Sequence, residues 1–263
     1  MDLCFDTALA EEYRSSTQIT RVLTESWVAN NIFCPRCGCP HIRHFENNRP
    51  VADFFCPCCG SEFELKSKNG KLGKKITDGA YEMMIRRVSA DNNPDFFFLS
   101  YSKAENKVKD LIFVPKHFFW EGIIEKRKPL ADTARRAGWV GCNILLGQIP
   151  NQGRIPIVEN EKISDKTTVI QRVTIGERLK IENIQNRGWL FDVLMCVNNI
   201  RNDVFLLNDV YAYEPFLSAR HPNNLNVRPK IRQQLQILRN KGFLVFMGDG
   251  HYRKIKAAGI LPK

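Results

Sequence analysis

With 263 residues, 43% of them hydrophobic and 25% charged, the chain has the composition of a soluble globular protein and the length for one large domain or two ordinary ones. No apolar run is long enough to span a bilayer, and the acidic N-terminus lacks the basic segment of a secretory signal, so we expect a cytoplasmic protein with no membrane partner. The formal net charge of +11 favours a polyanionic partner.

The positive charge is concentrated toward the C-terminus. Residues 181–263 carry 12 Lys and Arg against 6 Asp and Glu, while the first 180 residues carry 27 against 22. Most of the C-terminal surplus lies between Arg228 and Lys256. A local concentration of this kind is typical of a surface that binds nucleic-acid phosphates.

Six of the nine cysteines fall between Cys34 and Cys59, after a predicted helix over Ser16–Asn30. Two Cys-x-x-Cys pairs, Cys34 with Cys37 and Cys56 with Cys59, have the spacing of a four-thiolate zinc site. In a reducing compartment such a site is more common than a disulfide framework. Four thiolates leave no open position for water, which predicts a structural role. Four further residues could compete as metal ligands, and we leave their role open: Cys39, His41, His44 and Cys58.

The segment around the second cysteine pair alternates apolar and charged residues. We predict a turn at residues 47–50, a strand over Val51–Phe55, and an antiparallel strand beyond the cysteines that carries Glu64 and Lys66 on one face. This pairing places Asp53 beside both. A carboxylate among phenylalanines must be paired or bound to a metal. Two carboxylates beside an ammonium suit a hard metal ion and a water-activating lysine, as in a metal-dependent phosphodiesterase.

The next elements complete a mixed α/β core. A basic glycine loop over Asn69–Lys75 could hold a backbone phosphate beside this site. A helix is predicted over Asp78–Asp91, followed by buried strands over Asp95–Ser100 and Leu111–Val114. The helix pattern turns Ala80, Met83, Met84 and Val88 inward and Arg86 and Arg87 outward.

The segment Lys126–Leu146 holds an arginine pair, Arg135 and Arg136, shortly before Trp139. A lone tryptophan is most often a core residue. Here glycines flank the tryptophan and an arginine pair precedes it. An aromatic side chain that faces DNA is therefore an equal alternative.

The last third of the chain predicts a separate small domain. Residues from Ile163 to Arg187 are polar and predicted to be irregular, and we place the boundary near residue 182, which gives domains 1–182 and 183–263. The predicted elements after it are a helix over Leu190–Ile200, a strand over Val204–Leu207, a helix from Asn208, a helix from Pro229 to a capping Gly242, and strands over Phe243–Met247 and His251–Ile255. This order is typical of a winged helix-turn-helix. A protein-interaction domain has the same shape, but the basic third helix and hairpin favour DNA.

Several long stretches carry a more specific resemblance. They are HFENNRPVADF, EFELKSK, ADNNPDFFFL, RKPLA, TARRAGWVGCNI and KIRQQLQILR, and they are spread over most of the chain. Through them the chain resembles the family of DpnI-like methylation-dependent restriction endonucleases. The resemblance implies a PD-(D/E)xK nuclease core of the α/β (α+β) class with an inserted Cys4 zinc module, followed by a winged helix-turn-helix domain.

The resemblance also implies roles for matching positions. Asp53, Glu64 and Lys66 take the catalytic positions, although Ala52 stands where the motif has proline. Asp53, Glu64 and the carbonyl of Leu65 would bind a catalytic Mg²⁺, and the four spaced cysteines would bind a structural Zn²⁺. The implied substrate is double-stranded DNA methylated at adenine N6 in GATC, and we expect a monomer in solution.

Candidate DNA contacts lie in both halves of the chain. They are Arg135, Arg136 and Trp139 in the first domain, and Arg228, Lys230, Arg232, Gln233, Gln234, Arg253 and Lys254 in the second. An alternative function is a zinc-containing winged-helix transcription factor that binds DNA without cutting it. In that case Asp53 and Glu64 would be ordinary strand carboxylates.

Overall fold

A computed structural model describes residues 1–45, 52–90, 93–181, 183 and 186–255. The predicted turn at residues 47–50, the start of the strand at Val51, the helix end at Asp91, the boundary residue 182 and Lys256 lie outside the described residues. Within the described ranges, none of the helices combines the length and the apolar character needed to cross a bilayer.

The chain alternates short strands with helices. The helices are α1 (Ser16–Asn31), α2 (Tyr81–Val88), α3 (Lys166–Glu177), α4 (Arg187–Asn199), α5 (Leu207–Tyr211), α6 (Glu214–Arg220) and α7 (Val227–Asn240). The strands are β1 (Arg43–His44), β2 (Phe54–Phe55), β3 (Glu62–Asn69), β4 (Ile76–Ala80), β5 (Asp95–Ser102), β6 (Lys107–Val114), β7 (Ile124–Lys126), β8 (Gly141–Ile144), β9 (Ile155–Glu159), β10 (Lys162–Ile163), β11 (Val204–Leu206), β12 (Leu244–Gly248) and β13 (His251–Lys254).

The central sheet has seven strands in the order β1-β2-β3-β5-β6-β9-β10. β3 and β5 run parallel, and the neighbouring pairs are antiparallel. β5 is buried over all but its last residue because its apolar side chains fill a core on each face of the sheet. Phe96 and Phe98 pack in one core, and Phe97 and Leu99 in the other. Both predicted buried strands, at Asp95 and at Leu111, are confirmed.

Helix α1 confirms the prediction for Ser16–Asn30 and extends it by one residue. Leu23 and Trp27 are buried at helical spacing against the sheet. The indole N–H of Trp27 donates to the carbonyl of Asp2 at 2.8 Å, which ties the N-terminal segment to the helix.

The helix predicted from Asp78 is wrong at its beginning. Residues 76–80 form β4, which pairs with β8, and the helix begins at Tyr81. The later start changes the buried face: Met84 is buried as predicted, but Met83 is 56% exposed. Arg87, predicted to point outward, instead forms an ion pair with Glu64.

The stretch predicted to be irregular between Ile163 and Arg187 contains a regular helix, so this prediction is also wrong. α3 begins after Asp165, whose carboxylate accepts the backbone N–H of Thr168 at 3.0 Å as an N-cap. The helix buries a narrow stripe that includes Val169 and Val173. Because the residues around this stripe are polar, the sequence shows only a weak helical period.

The C-terminal elements confirm the winged helix-turn-helix order. α4 to α7 precede the hairpin of β12 and β13, and β11, which lies between α4 and α5, completes a three-stranded sheet in the order β11-β13-β12. The helix expected from Asn208 is divided into two short helices, and Pro229 is the third residue of α7 instead of its first. Ile231, Leu235 and Leu238 are fully buried, as the helical spacing predicted.

The C-terminal helices share a core with the N-terminal sheet. The ring of Phe191 on α4 stacks 4.9 Å from that of Phe118 and lies 5.2 Å from that of Trp120. Both partners belong to the connection after β6. Separating the two parts would expose these rings, so experiments on DNA binding are best made with the full chain.

Candidate active site and DNA-facing surfaces

The antiparallel pairing of β2 with β3 places Asp53 against the strand that carries Glu64 and Lys66. Phe54 pairs with Phe63, and the backbone N–H of Asp53 donates to the carbonyl of Phe63 at 2.9 Å. One carboxylate oxygen of Asp53 accepts the N–H of Leu65 at 2.7 Å. The predicted antiparallel hairpin around the second cysteine pair is confirmed, but its first strand is shorter than predicted, and Asp53 lies just before β2 instead of within it.

Glu64 and Lys66 lie on the same face of β3, because side chains two residues apart point the same way. The ammonium of Lys66 is 2.6 Å from a carboxylate oxygen of Glu64. The parallel neighbour β5 supports both residues, with Glu64 opposite Phe96 and Lys66 opposite Phe98. Glu64 is only 8% exposed, so this charged pair stands at the border of a phenylalanine core.

Two further charged residues join this pair, and the sequence reasoning missed both. Asp78 on β4 accepts a hydrogen bond from the ammonium of Lys66. Arg87 on α2 places a guanidinium nitrogen 2.8 Å from Glu64. One sequence signal spoke against a helix start at Asp78: the following Gly79 is a poor residue for a helix interior.

The buried setting shifts the pKa values of the candidate catalytic groups. Burial raises the pKa of Asp53, and the nearby carboxylate of Glu25 on α1 adds to this effect. Burial also raises the pKa of Glu64, against the opposing charges of Lys66 and Arg87. Burial by itself lowers the pKa of Lys66, but the carboxylates of Glu64 and Asp78 outweigh it and raise this pKa. Lys66 is therefore protonated in this arrangement.

These residues fit a divalent cation. Glu64, which is buried, and Asp53, which is half-buried, offer hard oxygen donors, and carboxylates in such positions are stabilised by a nearby positive charge. Leu65, whose carbonyl is the third candidate donor, is fixed against Asp53 by the hydrogen bond from its N–H.

The four spaced cysteines form one group, as their spacing predicted. The Sγ atoms of Cys34, Cys37, Cys56 and Cys59 all lie within 4.8 Å of one another. Cys34 and Cys59 are 3.7 Å apart, and Cys37 and Cys56 are 3.6 Å apart. Zn–S bonds of about 2.3 Å in a tetrahedron require sulfur pairs about 3.8 Å apart, so the group has the dimensions of a zinc site.

The two halves of the cysteine group use the same backbone turn. The N–H of Gly38 donates to the carbonyl of Cys34 at 2.8 Å, and the N–H of Gly60 donates to that of Cys56 at 2.9 Å. Both glycines have positive φ, at 75° and 70°, which a residue with a side chain adopts at a cost. The turns hold the paired sulfurs on one side of the chain.

The competing donors are not members of this group of four. Cys39 and Cys58 form a disulfide with each other. Their sulfurs lie within 4.8 Å of Cys56 as well, so the module holds all six thiol positions close together. His44 packs its ring 4.3 Å from that of Phe54, and His41 is exposed. Among the described residues, neither histidine belongs to a cluster of potential metal ligands.

Trp139 lies on the loop between β7 and β8. This loop is closed by the N–H of Leu130, which donates to the carbonyl of Trp139 at 2.9 Å. The indole is half-buried, the guanidinium of Arg136 stands 4.9 Å from its centre, and Arg135 is exposed. The ring packs closely over Gly141, where an added Cβ would come within 2.8 Å of it. Trp139 is thus held by the loop but is not enclosed in the main core.

The C-terminal surface presents only some of the expected DNA contacts. Gln234 is 1% exposed, so its inclusion among them was wrong: it lies on the inner face of α7. The ammonium of Lys254 donates to the carbonyl of Ile200, and Arg228 forms an ion pair with Glu214 at 2.8 Å. Among the described residues, the predicted contacts that stay exposed or half-exposed without such a tie are Lys230, Arg232 and Arg253. Gln233 is exposed, and its side-chain oxygen accepts a hydrogen bond from the amide of Gln234 at 3.3 Å.

Two protein-family models match the chain. The model of the Dam-replacing family, DpnI, matches residues 1–182. The model of the Dam-replacing HTH domain, DpnI_C, matches residues 185–254. The first match alone covers more than half of the chain and includes both the cysteine group and the Asp53–Lys66 hairpin. The chain therefore belongs to the DpnI, or Dam-replacing, family of restriction endonucleases.

Proposed function

We propose that the chain is a methylation-dependent type II restriction endonuclease that hydrolyses double-stranded DNA at G-N6-methyladenine-T-C sites, with Mg²⁺ as catalytic and Zn²⁺ as structural metal. Family membership supports the class of activity. The observation that carries the chemistry is the meeting of Asp53, Glu64 and Lys66 on the β2–β3 hairpin. We assign residues 1–182 to a PD-(D/E)xK nuclease domain and residues 183–263 to the winged-helix domain.

The metal would be held by Asp53, Glu64 and the carbonyl of Leu65. Mg²⁺ at this position supplies positive charge that stabilises the negative charge developing on the scissile phosphate. Asp53 is kept in place by the N–H of Leu65, and Glu64 is kept in place by Lys66 and Arg87. These contacts fix both carboxylates before DNA arrives, which limits the rearrangement needed for the reaction.

Lys66 would act on the attacking water. With two carboxylates beside it, the side chain keeps its proton, so it is suited to orient the water and to donate to a phosphate oxygen. Attack by the water oxygen on phosphorus breaks the bond between phosphorus and the leaving oxygen. The proton released by the water passes to solvent, and the leaving oxygen takes up a proton from solvent to become a hydroxyl group.

Recognition would be divided between the two domains. A methyl group on adenine N6 projects into the major groove, and its burial contributes on the order of 1 kcal/mol, less than tenfold in affinity. Reading the methyl groups twice would multiply this discrimination. Trp139, beside Arg135 and Arg136, is our candidate reader in the nuclease domain. The exposed face of α7 is the candidate in the winged-helix domain, because the third helix of this fold enters the major groove.

The alternative of a winged-helix transcription factor explains fewer observations. A protein that only binds DNA has no need for two buried carboxylates against a lysine, since such burial destabilises the charged forms. Membership of a restriction endonuclease family favours the enzyme as well.

Incubation of the full-length protein with plasmid DNA and Mg²⁺ tests the proposal. The same plasmid is prepared with and without N6-methyladenine at GATC and analysed on a gel. We expect the methylated plasmid alone to give discrete fragments that end at GATC, and chelation of Mg²⁺ to stop the cutting. Binding without cutting would support the transcription factor, and equal cutting of both plasmids would contradict methyl-dependent recognition.

A further inference from the structure

Asp78 is a buried carboxylate without a role in the chemistry proposed above. Its side chain is 8% exposed. One carboxylate oxygen accepts hydrogen bonds from the ammonium of Lys66 and, at 2.7 Å, from the backbone N–H of Gly79. Burying a charge in this way is costly unless the charge has a partner, and the partner here is the candidate catalytic lysine.

The position of Asp78 is set by a second sheet. β4 pairs with β8, with Asp78 opposite Cys142, and the register is irregular between Asp78 and Ala80. Irregularities of this kind redirect a side chain, and they occur frequently beside active sites. The result is that Lys66 on β3 is held from two sides, by Glu64 on its own strand and by Asp78 on a separate sheet.

The two carboxylates that contact Lys66 differ in their other contacts. Glu64 also faces the guanidinium of Arg87 and is the proposed metal ligand. Asp78 makes no other side-chain hydrogen bond within the described part of the chain. These two hydrogen bonds place Asp78 to hold the lysine.

We propose that Asp78 is a positioning residue for Lys66. This inference rests on the proposed function, in which Lys66 orients the attacking water. Because Glu64 serves several partners, Asp78 is the contact that fixes the ammonium in direction and distance. Loss of this contact leaves DNA binding and metal binding in place but moves the ammonium away from the water. A displacement of about 1 Å in a catalytic group can cost on the order of 100-fold in rate.

The test uses the full-length protein, a methylated GATC duplex and Mg²⁺ under single-turnover conditions. Asp78→Asn keeps the size of the side chain and can still accept from Gly79, but it removes the charge that holds Lys66. We expect a fall in the cleavage rate on the order of 100-fold, with DNA affinity unchanged within about threefold. Asp78→Glu keeps the charge, so its cleavage rate should be at least about tenfold higher than that of Asp78→Asn. Glu82→Gln, on the exposed first turn of α2, is the matched control and should cleave at the normal rate.

Two further readouts separate positioning from a merely structural role or from metal binding. Binding of Mn²⁺ to the protein without DNA, followed by its electron paramagnetic resonance signal, should be the same in Asp78→Asn as in the unaltered chain. In a Lys66→Ala background, Asp78→Asn should cause less than about twofold further loss, because the residue that it positions is already absent.

The outcomes are distinct. A normal cleavage rate for Asp78→Asn, weakened Mn²⁺ binding, or an additive effect in the Lys66→Ala background would each overturn the inference. If the unaltered protein does not cut methylated DNA, the proposed function fails first, and this result is obtained independently of any Asp78 variant.

Discussion

The β2–β3 hairpin and the surface of α7 show two opposite ways of using charge. At the hairpin, Asp53, Glu64 and Lys66 are largely buried, and each is held by a neighbouring charge or backbone group. On α7, Arg232 and Arg239 are exposed, and within the described part of the chain no hydrogen bond or ion pair holds either guanidinium. Groups that perform chemistry need a fixed direction, whereas groups that attract a polyanion need accessible charge.

This difference determines how sensitive each region is to substitution. A buried charge that loses its partner remains in a poor environment, so a single change at the hairpin affects every group in contact with it. An exposed arginine contributes one phosphate contact, and its loss leaves the neighbouring side chains unchanged. We therefore expect all-or-none effects at the hairpin and small, separate effects on α7.

The largest effects are expected from Asp53→Ala, Glu64→Ala and Lys66→Ala. The first two remove candidate metal ligands and the third removes the group that orients the water. Each should lower cleavage of methylated DNA on the order of 10³-fold or more, while binding of methylated DNA is largely retained. Cleavage assays and gel-shift titrations on the same preparations measure the two effects separately.

Glu62→Ala is the matched control for these variants. Glu62 lies on β3 two residues before Glu64, but the family pattern does not use it, so much of the activity should remain. Near-normal turnover in any one of the three main variants would remove that residue from the mechanism. A severe loss in Glu62→Ala would show that the strand as a whole is sensitive to substitution.

The next effect in size concerns the cysteine module, which adjoins the hairpin through Cys56. We expect about one zinc per purified chain, the stoichiometry of a single tetrahedral site. Cys56→Ser should lose this zinc, since it removes a ligand, and a stability loss of about 3 kcal/mol would lower Tm by roughly 10 °C. Cleavage should fall as well, because Cys56 lies in the turn that joins β2 to β3, and loss of the metal would loosen this turn.

Cys4→Ser controls for the loss of a thiol as such. Cys4 is exposed, lies far from the module in the chain, and belongs to neither cluster of potential ligands. Zinc content and Tm should be unchanged in this variant. Less than half an equivalent of zinc in the intact, undegraded protein would contradict the assignment of the metal.

The sequence predicted the hairpin well because its signals are local. The Cys-x-x-Cys spacing determines where the chain turns, and alternation around it determines which residues face each other. The same holds for α1 and for α7, where apolar residues three and four apart mark the buried face. Each of these elements is encoded in the residues that form it.

Asp78 and Arg87 were missed because their positions depend on distant parts of the chain. The strand that carries Asp78 exists through its pairing with Gly141–Ile144, and a local pattern cannot show such a partner. With the helix start misplaced by three residues, the face assigned to Arg87 was wrong as well. The helix α3 was overlooked for a different reason, since its buried stripe is narrow and its remaining surface polar.

Trp139 combines features of the two regions, because it is held by a loop but stays partly accessible. We expect Trp139→Ala to lower cleavage of methylated sites on the order of tenfold or more, as for the loss of an aromatic contact with a base. Non-specific DNA affinity, measured by competition with unmethylated duplex, should change by less than about threefold. Arg135→Ala, which removes only an exposed charge on the same loop, should lower both quantities together.

Unfolding of Trp139→Ala would decide between the two interpretations of this residue. The ring packs over Gly141, at the start of the strand that pairs with the Asp78 strand. If Tm falls strongly and cleavage disappears together with DNA binding, the tryptophan is a core residue and the reader must be sought elsewhere.

The smallest expected effects come from the cations of the C-terminal surface. They test whether the exposure of a cation determines whether it contacts a DNA phosphate. Phosphate contacts release counterions, so each one contributes about 0.9 to the slope of log affinity against log salt concentration. Among the described residues of α7 and the β12–β13 hairpin, four accessible cations form no ion pair or side-chain hydrogen bond: Lys230, Arg232, Arg239 and Arg253. We expect them to supply about four units of the slope in the full-length Lys66→Ala protein, which binds DNA without cutting it. Replacing Arg232 or Arg239 by alanine should reduce the magnitude of the slope by about one each.

The controls for this measurement are cations of the same region whose ammonium groups are already occupied. Lys241 donates to the carbonyls of Arg178 and Lys180, at 2.6 and 2.8 Å, and Lys254 donates to that of Ile200. Because these contacts hold the two lysines against the protein, Lys241→Ala and Lys254→Ala should leave the slope unchanged, although they can lower Tm. Equal changes for tied and accessible cations would mean that this surface acts through its total charge. A slope that none of the four accessible cations affects would instead favour a protein partner for the winged helix.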